Sequence, residues 1–231
     1  MDIAIHSLLE GATRAIGTVA VIDVFRPFTT AAVAFANGAD QIIMASSVEE
    51  ALSLRDAGIG QVCMGEVRGR APEEFDFGNS PFEIGEIDFT GKTIIQRTSA
   101  GTQGVVAAAN QADRLYAASL VTADATVRAM LAGKPDQISI IAMGGEGLKR
   151  TDEDEVRAIH LRNRLEGRPG DRRAVQRLIL AGGEVSRFHD PARPHLHPED
   201  VEIALDIDRY DFAIRVRIED GRPVGRVEKP G

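Results

Sequence analysis

Short apolar runs recur along the chain, each followed by a stretch with helical spacing or by a turn. Val19-Ala20-Val21-Ile22 is the sharpest of these runs and reads as a buried strand of a parallel sheet. The following TTAAVAFAN predicts a helix, with Thr29 or Thr30 available as its N-cap and Gly38 just past its end. Ile3–His6, Gln41–Met44, Val62–Met64, Lys92–Thr98, Leu115–Ala118 and Ile138–Met143 are further strand-length runs. Helices are expected from about Ser47, where Ser47 and Glu50 have capping-box spacing, after Gly101, over 122–132, over 152–165 and over 172–181. Alternation of this kind predicts an α/β fold with a mainly parallel sheet and flanking helices. The end of the chain differs, because Phe212–Ile218 and Val224–Val227 flank Asp220-Gly221, an antiparallel hairpin signal.

A length of 231 residues fits one domain over 1–231, or two lobes, a sheet-helix body (1–143) and a helical segment with the terminal hairpin (144–231). The net charge of -8 argues against general attraction to nucleic acid. No apolar run reaches membrane-spanning length, and the start has no secretory pattern. With Cys63 as the one cysteine, no internal disulfide can form. The cytoplasm is the expected compartment, and a homodimer is the expected assembly.

Several motifs fail on inspection. GEIDFTGKT (85–93) has the wrong spacing for a P-loop and precedes a strand instead of following one. Gly144-Gly145-Glu146-Gly147 never completes a dinucleotide fingerprint. Asp206-Ile207-Asp208 comes late in the chain, with Tyr210 where aspartyl-phosphate chemistry wants a small residue, and reads as a solvated helix end. His189, His195 and His197 lie among prolines with no metal-binding spacing and read as a polar loop.

What survives is a series of polar groups at successive strand ends. Asp23 and Arg26 follow one strand, Glu66 and Arg68 another, and Arg97, Thr98, Ser99, Gly101 and Thr102 a third. Asp76, Asn79 and Ser80 lie in the loop after Glu66, and Glu153 and Asp154 follow the strand ending at Met143. On a parallel sheet such ends share one edge, where ligands bind. Carboxylates with water suit magnesium, and arginine forks suit phosphate or sulfonate oxygens. The residues alone therefore indicate a metal-assisted enzyme acting on a small anionic molecule, with a non-catalytic anion-binding protein as the competing class.

The sequence VIDVFRPFTTAAVAFANGA (21–39) resembles the 2-phosphosulfolactate phosphatase family. Gly65–Gly69, Phe75–Pro81, Arg97–Thr102, Asp152–Asp154 and Glu199–Asp208 resemble further family blocks in the same order. Three positions depart from the pattern: Pro27 stands for Ala, Val67 separates Glu66 from Arg68, and Ala100 stands where many members have Asn. The resemblance implies a magnesium-dependent phosphatase converting 2-phospho-3-sulfolactate to sulfolactate and phosphate, a step of coenzyme M synthesis. It implies catalytic roles for Asp23, Arg26, Glu66 and Asp76, and metal binding by Asp23, Glu66, Asp76, Glu153 and Asp154. Arg68, Asn79, Ser80, Arg97, Thr98, Ser99, Gly101 and Thr102 would bind substrate. In this scheme Arg26 and Arg97 hold the phosphoryl oxygens, Arg68 meets the sulfonate or carboxylate, and Asp23 or Asp76 acts on the attacking water. The same chemistry on another phosphorylated hydroxy acid is the alternative.

Overall fold

Strands and helices alternate as the hydrophobic pattern predicts in a computed structural model that describes residues 1–230. In chain order they are β1 (Asp2–Ser7), α1 (Leu8–Ala12), β2 (Gly17–Ile22), α2 (Pro27–Ala36), β3 (Gln41–Met44), α3 (Val48–Asp56), β4 (Val62–Gly65), β5 (Thr93–Arg97), α4 (Gly101–Ala108), β6 (Ala112–Ala118), α5 (Ala123–Ala132), β7 (Gln137–Ala142), α6 (Asp152–Leu165), α7 (Arg172–Leu180), α8 (Pro198–Ala204), β8 (Ala213–Glu219) and β9 (Arg222–Glu228). All nine of these strands join one sheet in the order β1-β7-β2-β6-β8-β9-β3-β5-β4. Strands from both sides of residue 143 therefore share that sheet. No helix among the described residues is long and apolar enough to cross a membrane.

The terminal hairpin forms around Asp220 and Gly221, both at positive φ (49° and 75°), as a two-residue primed turn requires. It is not appended to the sheet but inserted into its middle. β8 pairs with β6 and β9 with β3, so the hairpin covers the open edge of each parallel group. The β6/β8, β8/β9 and β9/β3 pairings are all antiparallel, whereas β1/β7, β7/β2, β2/β6, β3/β5 and β5/β4 are parallel. Along the ladder the two parallel groups thus run in opposite senses, so strand direction alone does not place their carboxyl ends on one edge. Twist brings them together. At about 20–25° per strand step, the path from β2 to β4 turns through more than roughly 100°. The sheet wraps around α2, whose residues Pro27–Phe35 are all buried.

This enclosed position explains the composition of α2 and α4. α2 is Ala-rich and α4 carries Gly as well as Ala, and a side chain at Gly104 would begin 2.3 Å from the Met143 sulfur. Phe28, Ala31, Ala32 and Val105 share one core with Val21, Ile42 and Ile94 on the inner face of the sheet. On the outer face, helices α5 to α8 cover the β1-β7-β2-β6 half, burying Val127, Met130, Leu161 and Ile179. The helix α3 covers the other half with Ala51 and Leu54.

Local capping differs in two places from the sequence reading. α2 starts at Pro27, which suits the first helical position. Thr29 and Thr30 instead donate to the carbonyls of Val24 (2.8 Å) and Arg26 (2.9 Å). At α3 the Ser47 hydroxyl accepts from the Glu50 amide as expected, but the Glu50 carboxylate reaches Ser46. Residues 85–92 form turns ahead of β5, consistent with the rejection of a P-loop there.

Candidate active site

Where the ends of β2, β4, β5 and β7 converge, a cleft of about 690 Å³ opens. Asp23 and Arg26 enter it from the β2–α2 turn, Glu66 and Arg68 from the end of β4, Asn79 from the following loop, and Ser99 from the end of β5. The turn after β7 adds Gly144, Gly145, Glu146 and Lys149, and a strap over 183–196 adds Glu184, Arg187, Arg193 and His195.

The acids gather at the end near β2 and β7. Asp154 is buried and accepts the amides of Val24 and Gly144, both at 2.8 Å, which ties the ends of β2 and β7 together. Burial raises its pKa to about 7, the two amides working against the rise. Glu153 is raised to about 8, by burial first and then by Asp154, and its Oε2 is buried without a partner. Asp23 is 4% exposed. Burial, followed by the charges of Asp154, Glu66 and Glu153, holds it well above the ordinary carboxylate range, while the Gly101 amide acts the other way.

These shifts fix a sign for stability. The folded values of Glu153 and Asp154 exceed the ordinary 4.5 and 3.8, so their protonated forms favour the folded state. That stability is complete below about pH 4 and is lost as the pH rises through about 8. The melting temperature of the metal-free protein is expected to fall between about pH 5 and pH 8, and Glu153→Gln to flatten the slope. Calorimetry in EDTA measures this; the same slope in the variant would mean that Glu153 is not strained by its neighbours.

Glu66 serves as a clasp. Its carboxylate accepts the Gly69 amide (2.6 Å), the Ser99 amide (2.5 Å) and the Ser99 hydroxyl (3.0 Å). Ser99 Oγ accepts the Arg68 amide in turn (2.9 Å), so the loops after β4 and β5 are locked as one wall. The path is tight, since a side chain at Gly65 (φ 142°) would begin 1.9 Å from the Arg97 carbonyl oxygen.

Arg26 is 5% exposed and donates through Nη1 to Asp200 (2.9 Å) and to the His195 carbonyl (3.1 Å). Asp200, fully buried, also accepts the Ser80 hydroxyl (2.6 Å) and the Phe82 amide (3.1 Å). Ser80 is therefore a brace for the floor rather than part of the cleft lining.

Other expected residues lie off the cleft. The Asp76 carboxylate accepts the Cys63 amide at 2.7 Å and sits 3.4 Å from Arg55. Residues 76 and 77 lie along the outer edge of β4, where they satisfy backbone groups that an edge strand leaves unpaired. Arg97 donates to the Glu66 carbonyl at 2.8 Å and does not line the cleft. Thr98 and Thr102 bond to each other at the start of α4, and Gly101 packs against Asp23 and Phe28. Among the described residues no group of three His, Cys, Asp or Glu side chains could hold a metal ion, so the five expected acids do not form a cage. Magnesium nevertheless commonly uses only one or two carboxylates, completing its shell with water and substrate phosphate. Asp23, which lines the cleft and feels the charge of Glu153, and the orphaned Glu153 oxygen fit that donor set.

The sequence reading gave no role to Asp200, which it named only within a family block, nor to His195, Arg187, Lys149 and Gly144–Glu146. Gly144 (φ 65°) appeared only as a failed dinucleotide motif, and His195 only as one of three loop histidines.

A family model described as 2-phosphosulpholactate phosphatase matches residues 4–185. A Bacillus subtilis protein named "Probable 2-phosphosulfolactate phosphatase" is 30% identical over 204 residues, covering 87% of each chain. A Thermoplasma volcanium protein of the same name is 30% identical over 191 residues, 83% of this chain and 85% of its own. A third, from Thermus thermophilus, is 35% identical over 135 residues, and there the match spans 58% of this chain and 56% of the relative. With the family model running from β1 past α7, the chain belongs to the 2-phosphosulpholactate phosphatase family.

Proposed function

We propose that the protein hydrolyses 2-phospho-3-sulfolactate to 3-sulfolactate and phosphate with the help of magnesium, a step of coenzyme M synthesis. The observation that carries this reading is Asp23, a buried acid at the floor of a cleft that Arg26, Arg68, Lys149, Arg187 and Arg193 also line. Such a cleft suits a substrate with several negative charges, and perturbed acids in clefts mark reacting centres. The names of the relatives support the substrate.

Asp23 and Glu153 would hold the metal, which when bound offsets charge on the phosphoryl oxygens as the ester bond breaks. Asp23, ionised, accepts a hydrogen bond from the attacking water and orients it toward phosphorus. Arg187 is half-buried, its guanidinium lies near the Phe25 carbonyl, and its charge favours the ionised form of Asp154. Paired with Glu184 at 3.1 Å, it is held at the acidic end of the cleft, where its charge acts on Asp154. The Glu66 clasp and the Arg26–Asp200 pair keep the walls in register, so that little reorganisation is needed as charge develops.

Phosphate release from 2-phospho-3-sulfolactate, phospholactate and phosphoglycerate tests the reading, first with magnesium and then with EDTA. The expected result is turnover that requires magnesium and is fastest on phosphosulfolactate. Turnover confined to another ester would keep the chemistry and replace the substrate. An absence of release from all three would end the enzyme reading.

A further inference from the structure

The substrate of the proposed reaction carries anionic groups besides its phosphate, and the acidic end of the cleft would repel them. We infer that His195 and Arg193 form the subsite for the second anionic group, the sulfonate or carboxylate that stays on the carbon skeleton; this rests on the phosphatase reading above. Both residues lie beyond residue 185, where the family match ends.

The geometry supports a built site. The strap crosses the cleft opposite the loop after β4, and His195 Nε2 lies 4.0 Å from where a side chain on Gly69 would begin. The backbone under the ring is fixed, because the His195 carbonyl accepts the buried Arg26 guanidinium at 3.1 Å. Nδ1 is shut in and has no partner, so the ring meets the cleft through Nε2. Arg193 is paired with Asp190 at 3.3 Å through Nε, which leaves its outer nitrogens available.

Electrostatics point the same way. Burial, together with the charges of Arg70, Arg26 and Arg193, lowers the His195 pKa, and Glu83 is the acid that opposes them. A bound anion would relieve this crowding of positive charge.

The other cations of the cleft are less suitable. Arg68 and Lys149 have side chains 82% exposed and only loosely paired, to Glu146 and Glu184, so water and salt screen them. Arg187 is turned toward Phe25 and the acids.

The test is titration calorimetry on the whole protein and on His195→Gln and Arg193→Gln, with 3-sulfolactate and inorganic phosphate as separate probes. Both changes should leave the fold intact, since His195 is anchored by its carbonyl and Arg193 is half exposed. Sulfolactate binding is expected to weaken by about 10- to 100-fold in either variant, with phosphate binding held within about twofold. In kinetics the loss should fall on KM for phosphosulfolactate and spare that for propyl phosphate, which has no second anion. Equal weakening of both probes, or unchanged sulfolactate binding, would overturn the subsite. If the wild-type protein turns over no phosphoester yet binds sulfolactate through these residues, the phosphatase reading fails and the subsite stands. If it binds no sulfolactate, the subsite fails.

Discussion

Asp23→Asn is expected to lower kcat by about 10²- to 10⁴-fold while raising the melting temperature of the metal-free protein at neutral pH. The two effects have one cause. Asp23 is almost fully buried, and Asp154, Glu66 and Glu153 add their charge to the penalty of ionising it there. An amide of the same shape escapes that penalty but can neither take a proton nor hold a metal ion with a full charge. Its Oδ1 can still accept the Gly101 amide, as the carboxylate does, so that contact is kept. Phosphate-release kinetics and calorimetry in EDTA measure the pair of effects. Near-normal turnover would remove Asp23 from the reaction, and a lower melting temperature would show that its carboxylate is satisfied in the folded protein.

Asp200→Ala should give the largest loss of stability, about 3–5 kcal/mol. One substitution strips the buried Arg26 guanidinium of its counter-ion and leaves the Ser80 hydroxyl and Phe82 amide without an acceptor. Breaking a buried pair costs more than never having built it, because the remaining charge has no water to turn to. For a domain of this size the expected fall in melting temperature is roughly 6–20 °C. Activity should fall as well, since Arg26, which lines the cleft and donates to the His195 carbonyl, loses the carboxylate that holds it. Adding Arg26→Met to Asp200→Ala should recover part of the stability and none of the activity. A denaturant series on both variants checks this, and additive losses would mean that the pair is not coupled.

Asp23 and Glu66 were legible in the sequence because each directly follows a short apolar strand, and Arg26 because it sits in the short turn from the Asp23 strand to the next helix. Asp76 misled for an instructive reason. It belongs to the same loop as Asn79, which does reach the cleft, but two residues of edge pairing turn its carboxylate back onto the Cys63 amide. Periodicity says which face a residue takes within an element and nothing about a loop that lies along an edge strand. Asp200 was hidden differently. Its partner Arg26 is 174 residues away, and no local pattern marks a contact of that separation. The fold class, helices α2 to α7 and the Asp-Gly hairpin followed from local chemistry. The hairpin's central place in the sheet did not, because ladder order depends on which edges remain open once both parallel groups have formed.

That place has a consequence for how the chain comes off the ribosome. β8 and β9 follow every other strand in sequence, yet they are the strands that join the two halves. Until they emerge, β6 and β3 each present an unpaired edge backed by apolar residues, the kind of edge that recruits strands from other molecules. Synthesis of this protein therefore passes through a window in which most of its core is made and its sheet is still two open pieces. Stalling or truncation before residue 213 would hold it there, and aggregation rather than simple loss of activity is the outcome such a nascent chain invites.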